Sequence, residues 1–313
     1  MTTFAVMAEP AASAATPVII EAAINGVTTR DKNPHVPIGP KDIAADIVAC
    51  VEAGAAVIHS HIDQRGLDIN EAAARYLEGW RPALAERPDA LVYPTIHVGP
   101  PRSYEHLVPL AESGLARIGI VDPGSLNLGG TDADGVPAGG IVYDNSFDTI
   151  ARAFQICSEQ GLGPSLAIYE PGFLQTTVAW WRAGRLPAGA MIKLYFSAPQ
   201  GYFGAPFGLP PTPTALNAYL EVLGECDVPW AISVVGGDVT SAPVTRLALE
   251  RGGHLHLGLE FYGGPETPTN EELVTRAVAL CAAVGRPVAT PDEAAALLGL
   301  PRPAPTREQV ARS

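Results

Sequence analysis

A regular alternation constrains the fold of this chain more than any other feature. Eight apolar runs of strand type occur: PVIIEAAIN (17–25), AAVIHSHI (55–62), ALVYPTI (90–96), ARIGIVD (116–122), PSLAIYE (164–170), AMIKLYF (190–196), PWAISVVG (229–236) and HLHLGLE (254–260). Amphipathic segments with helical periodicity separate them: KDIAADIVACVEAG, NEAAARYLEGWRPALAE, YEHLVPLAESG, SFDTIARAFQICSEQG, PGFLQTTVAWWRAG, PTALNAYLEVLGE, APVTRLALERGG and NEELVTRAVALCAAVG. Strands this apolar, each followed by a helix, imply a parallel sheet covered on its outer side. Eight such units predict a single closed (β/α)8 TIM barrel with parallel strands. A doubly wound open sheet is the alternative, but no GxGxxG follows the first strand and no P-loop occurs. The barrel is expected over 17–301, with a short flexible N-terminal extension (1–16) and a C-terminal tail (302–313).

The chain of 313 residues has 20 basic and 33 acidic side chains, a net charge of −13. Such a field repels polyanions and excludes nucleic acid as a partner. No run of about 18 apolar residues is present, so no membrane span is expected. The opening MTTFAVMAEPAASAATP lacks a basic start and a long apolar stretch, and reads as a loose tail rather than a signal peptide. Cys50, Cys157, Cys226 and Cys281 form no CxxC. They read as small apolar fillers in a reducing cytoplasm.

In a barrel the chemistry collects at the C-terminal ends of the strands. Those ends carry Glu21 and Asn25, His59 and His61, Thr95 and His97, Asp122 followed by Ser125, Glu170, Lys193 and Tyr195, Ser233 and Asp238, and finally His254, His256 and Glu260. A strand period of two puts His59 and His61 on one face, and His256 with Glu260 on one face. Two imidazoles and a carboxylate meeting in the barrel mouth would make a zinc site with an open position. The alternative is a pair of hydrogen-bonded core histidines. Glu260 favours the metal, because an unpaired buried carboxylate is costly. Glu21 and Glu170 are candidates for catalysis or substrate binding, or for a salt bridge to Lys193 or Arg30. His254 is expected to bond structurally beneath the site, and Asp238 to cap the next helix.

EAGAAVIHSHI and GGHLHLGLE stand in order with AAINGVTTRDKNPHVPI, VDPGSLNLGG, IYEPG and GRPVATPDEAAALLGL. On these segments nearly the whole chain resembles the β-keto acid cleavage enzymes, related to 3-keto-5-aminohexanoate cleavage enzyme. The resemblance implies a zinc-dependent barrel in which His59, His61 and Glu260 hold the metal. It implies a retro-Claisen exchange with acetyl-CoA, turning a β-keto acid into acetoacetate and a new acyl-CoA. The partners implied are a small β-keto acid and a CoA ester, in a cytoplasmic homo-oligomer. Thr95 falls near the family's serine after the third strand, and Asp122 where the family commonly has Asn. Asn25, Thr95, Asp122, Ser125 and Glu170 are the expected substrate contacts.

Two positions of the strand-8 segment depart from the family pattern. Its strand-8 Arg is His256 here, and its Asp, the family's proposed base, is Phe261. A phenylalanine takes no proton, so the base is expected from Glu170 or Glu21. Thr95 and His256 are further catalytic candidates, and His256 is alternatively a third imidazole ligand. The departures leave other chemistry open on the same barrel: a metal-dependent hydrolase, an aldolase or lyase without CoA, or a catalytically silent metal-binding homologue. The Gly/Pro-rich stretch 197–213 after the sixth strand is a candidate lid or CoA contact.

Overall fold

The computed structural model describes residues 16–99 and 103–301. Apart from Thr16, the expected N-terminal extension and C-terminal tail lie outside the described residues. The elements run β1 (Ile20–Ala23), α1 (Pro40–Ala53), β2 (Val57–Ser60), α2 (Ile69–Glu86), β3 (Leu91–Pro94), α3 (Leu107–Glu112) and β4 (Ile118–Val121). Next come β5 (Leu126–Thr131), β6 (Pro137–Tyr143), α4 (Phe147–Gln160), β7 (Gly163–Ile168), α5 (Pro171–Arg182), β8 (Met191–Ser197) and α6 (Pro213–Leu223). The chain closes with β9 (Trp230–Val235), α7 (Pro243–Glu250), β10 (His254–Leu257), α8 (Asn270–Ala283) and α9 (Pro291–Leu298).

The expected eight strands and eight helices are all present. The strands form one parallel sheet in the order β3-β2-β1-β10-β9-β8-β7-β4. β3 and β4 lie side by side without a hydrogen-bonded ladder and bring the ends of that order together. The result is the (β/α)8 TIM barrel. Register places Ala23 beside His59, His59 beside Tyr93, and Glu21 beside His256.

Local chemistry sets the helix starts. Pro40, Pro171, Pro213, Pro243 and Pro291 each open a helix, where a missing N–H is no loss. Asp68 and Glu71 form a capping box on α2, and Thr269 with Glu272 forms one on α8. Asp238 does not cap α7, whose N-cap is Ala242; its Oδ1 accepts from the Thr240 backbone N–H at 2.8 Å and closes a turn four residues earlier. The four cysteines are buried and unpaired.

A hairpin and a helix go beyond the expected set. β5 and β6 pair as an antiparallel hairpin inserted between β4 and α4. Its sequence, LNLGGTDADGVPAGGIVY, reads as a loop because glycines are poor strand residues. The antiparallel pairing supplies what the propensity lacks. The second addition is α9, which packs Ala294, Ala295 and Leu298 against the core.

The barrel interior is not wholly apolar. Tyr93 donates a short hydrogen bond to Glu21 Oε1. Lys193 Nζ lies 2.6 Å from the Tyr93 hydroxyl and 3.3 Å from Glu21 Oε1. His256 Nε2 sits 3.2 Å from the same oxygen, and its ring stacks on Tyr195 at 5.4 Å. All four of Glu21, Tyr93, Lys193 and His256 are fully buried. Lys193 supplies the countercharge that lets Glu21 sit there. Burial, with the nearby Lys193 charge, pushes the His256 imidazole well below its ordinary range, so it is neutral. His254 lies deeper, where its Nδ1 accepts from the Ile19 N–H at 2.9 Å.

Candidate active site and metal centre

The C-terminal ends of β2 and β10 point their polar residues into one place. His59 and His61 share a face of β2 and its extension, as a period of two requires. Their Nε2 atoms are 3.0 Å apart. Glu260 follows β10 and reaches both: Oε1 is 3.2 Å from His61 Nε2, and Oε2 is 3.4 Å from His59 Nε2. Its approach depends on two glycines. Gly26 has φ +57°, and a Cβ there would stand 2.3 Å from Glu260 Cγ. Gly258 has φ +131°, and its Cβ would collide with the Ala23 carbonyl at 2.1 Å.

The donor set fits a divalent metal. Two ligands at about 2.0–2.1 Å from a tetrahedral zinc are roughly 3.3 Å apart. The separations found are 3.0, 3.2 and 3.4 Å. Burial, opposed by the Glu260 charge, pushes His59 well below its usual range, leaving a neutral imidazole with a lone pair to offer. Burial works against ionising Glu260, but the pull of His61 and His59 and hydrogen bonds from His61 and Tyr202 outweigh it and hold the carboxyl down at about 2. Glu260 Oε2 is buried with no hydrogen-bond partner among the described residues, an arrangement that a cation would relieve.

Beside the three donors opens a cavity of about 670 Å3. Its polar lining includes Thr95, Asp122, Tyr143, Tyr169, Tyr195 and Tyr202; Ile120, Leu128, Ile141, Phe203 and Phe261 contribute apolar wall. Tyr143 donates a short hydrogen bond to Asp122 Oδ2. Burial, and then the Asp122 or Glu260 charge, lifts Tyr143, Tyr169 and Tyr202 well above the ordinary phenol range. Tyr195 is raised by burial and by neighbouring tyrosines and carboxylates. These hydroxyls stay protonated and act as donors. Thr95 is fixed by its backbone, which donates to the Tyr76 hydroxyl at 3.3 Å and accepts from His106 Nε2 at 2.8 Å.

The structure brings His59, His61, Glu260, Thr95 and Asp122 to the cavity wall. Other expected residues are placed outside that wall. Asn25 bonds the backbone of Gly26, Pro37 and His61. Ser125 exchanges bonds with the Asn145 backbone at 2.8 and 3.1 Å, pinning the base of the hairpin. Glu170 is the N-cap residue of α5, and its Oε1 accepts from Gly208 N–H at 2.9 Å. Glu21 and His256 lie beneath the cavity in the buried interior network. Tyr143 and Tyr202 were not legible as site residues: one arrives on the hairpin and the other on the segment after β8.

A sequence profile for the beta-keto acid cleavage enzymes matches residues 17–300. The 3-keto-5-aminohexanoate cleavage enzyme of Fusobacterium nucleatum is 26% identical over 290 residues, covering 90% of this chain and 97% of that one. The 3-oxoadipate:acetyl-CoA acetyltransferase of Cupriavidus necator is 28% identical over 300 residues, covering 91% and 95%. Among solved structures, apo ObcA superposes with a TM-score of 0.60 at 16% identity, covering 86% of this chain and 66% of that one.

Proposed function

The chain belongs to the beta-keto acid cleavage enzyme family, and on that footing we propose that it exchanges acyl groups between a β-keto acid and acetyl-CoA at a zinc centre. The products are acetoacetate and a new acyl-CoA. The observation that carries this reading is the convergence of His59, His61 and Glu260 at the wall of the 670 Å3 cavity.

The carbon between keto group and carboxylate loses a proton and attacks the acetyl thioester carbonyl. CoA thiolate leaves, then attacks the original keto carbon. The carbon–carbon bond breaks, releasing acyl-CoA, and the remaining carbanion regains the proton as acetoacetate. Zinc held by His59, His61 and Glu260 would supply Lewis acidity toward the oxygens on which charge develops.

The chain's own residues do the rest. Thr95 lines the cavity, and its hydroxyl would hold the thioester oxygen or the substrate carboxylate. With Phe261 at the family's Asp position, the proton falls to Asp122, a carboxylate on the cavity wall that is held by Tyr143. The protonated tyrosines donate toward developing negative charge, and Phe261 and Ile120 limit water. Glu21 and His256 act from below, through the network with Lys193 and Tyr93. The reading carries with it a cytoplasmic homo-oligomer; buried, unpaired cysteines are consistent with that reducing compartment.

A panel of β-keto acids assayed with and without acetyl-CoA tests this. Acetoacetate should form one for one with acyl-CoA. Asp122→Asn should abolish exchange while zinc content stays at the wild-type level. His61→Ala should lose metal and turnover together. Cleavage that proceeds with no CoA ester would replace the exchange by lyase or hydrolase chemistry, and turnover that survives without metal would remove the zinc centre from the reaction.

A further inference from the structure

The two oxygens of Glu260 have different surroundings. Oε1 accepts from the Tyr202 hydroxyl at 3.1 Å and lies 3.2 Å from His61 Nε2. Oε2 is buried, has no hydrogen-bond partner among the described residues, and lies 3.4 Å from His59 Nε2.

Tyr202 does not come from a barrel strand. It stands in the segment 198–212 between β8 and α6. The far part of that segment is anchored to the barrel: Ser197 N–H donates to Leu209 O at 2.9 Å, Phe207 N–H to Ser197 Oγ at 3.1 Å, and Gly208 N–H to Glu170 Oε1 at 2.9 Å. Its middle rests on the hairpin, where Ala205 N–H donates to Gly129 O at 2.9 Å. Ahead of both anchors in the chain, the Tyr202 ring packs on Phe261 at 5.7 Å, and its neighbour Phe203 lines the cavity.

Resting on the metal centre proposed above, we infer that Tyr202 is a positioning residue: by holding Glu260 Oε1 it presents Oε2 to the metal, and so couples metal loading to the seating of segment 198–212. A carboxylate gripped at one oxygen by a hydroxyl and packed at its stem on Gly26 keeps one orientation. Partners behind a metal ligand of this kind tune affinity by about 10- to 100-fold. Here the partner sits on a segment that walls the substrate cavity, and linkage makes the coupling reciprocal: what metal does for the segment, the seated segment does for metal. Segment 198–212 therefore closes the cavity wall when the centre is filled.

Tyr202→Phe keeps the ring on Phe261 and removes only the hydroxyl. Zinc affinity, measured by competition with a chromogenic chelator, should weaken about 10- to 100-fold in Tyr202→Phe. Tyr219→Phe, which removes a buried hydroxyl that bonds nothing among the described residues and lies outside segment 198–212, should keep zinc affinity within about twofold. The visible spectrum of the cobalt-loaded protein should shift in Tyr202→Phe alone. In the wild type, adding zinc should slow amide hydrogen exchange across 198–209, and in Tyr202→Phe it should not. Equal zinc affinity and cobalt spectra in wild type and Tyr202→Phe would overturn the role of Tyr202 while leaving the centre intact. Exchange in 198–209 that ignores zinc in the wild type would overturn the coupling. A wild-type protein that takes up no divalent metal would remove the centre itself, and this inference with it.

Discussion

Asn25 holds His61 by both of its backbone groups: Oδ1 accepts from the His61 N–H at 2.8 Å, and Nδ2 donates to the His61 carbonyl at 3.0 Å. The same side chain bonds Gly26 N–H and the Pro37 carbonyl, so all its polar capacity goes to backbone. It fixes the tip of β2 against the tip of β1, where two of the three candidate ligands and the glycine under the third are found. Asn25→Ala leaves these groups unsatisfied. It should cost about 1–3 kcal/mol of stability and weaken zinc binding about 10-fold or more. Urea unfolding and a zinc competition titration check both; an unchanged midpoint together with unchanged affinity would contradict the assignment.

Gly26 is required twice over, by its positive φ and by the Glu260 stem packed against it. Gly26→Ala should lower bound zinc per chain well below the wild-type value under identical dialysis. The strained backbone should add about 1–2 kcal/mol of destabilisation. Metal analysis beside a denaturant melt separates the two effects.

Lys193 is fully buried against Glu21 and Tyr93. Lys193→Met strands the Glu21 carboxylate and should destabilise by about 3–5 kcal/mol. Adding Glu21→Gln should return part of that loss, because the orphaned charge is gone. A double-mutant cycle on the denaturation midpoints reads the coupling directly, and strictly additive losses would argue against a shared network.

Two buried histidines make the fold acid-sensitive. Burial, aided by the Arg286 charge, holds His254 down to about 3, and burial holds His106 down to about 4 against a hydrogen bond to Thr95. Their folded values lie below the ordinary 6.5. The unfolded chain therefore binds their protons first. Their contribution is complete above pH 6.5 and is lost as pH falls from there through 4 and 3. Stability should drop by up to about 1.4 kcal/mol per pH unit per histidine below that point. His254→Asn keeps an acceptor near the Ile19 N–H without a titrating ring, and its stability curve should be flatter between pH 6 and about 4.5, inside the titration window. An identical slope in wild type and variant would refute the assignment to His254.

The barrel was readable because its strands are apolar on both faces and its helices carry proline starts, capping boxes and amphipathic periodicity. The convergence of His59, His61 and Glu260 was readable because HSH alternates correctly on a strand, and because Glu260 ends another strand with no apolar reason to be there. A strand-end position alone left Glu21 and Glu170 open between catalysis, substrate binding and a salt bridge, because it does not fix which neighbour a carboxylate finds. Glu21 finds Lys193 and Tyr93 below the cavity, and Glu170 finds the Gly208 amide beside it. Tyr143 and Tyr202 were invisible because glycine-rich segments hide a hairpin and an inward-folded turn, whose shape comes from tertiary pairing such as Ala205 to Gly129. Asn25 was legible as a polar group at the right place, but its bonding to His61 needed the fold.

The missing ladder between β3 and β4 has a consequence for how large molecules enter. Every other junction in the ring is laced by parallel pairing, so widening the mouth there would break backbone bonds. At this seam the lips can part without that penalty. One lip carries Thr95, the other Asp122 and the root of the hairpin. A mouth that widens would thus do so where the girdle is already unbuttoned, and Thr95 and Asp122 would move with the lips.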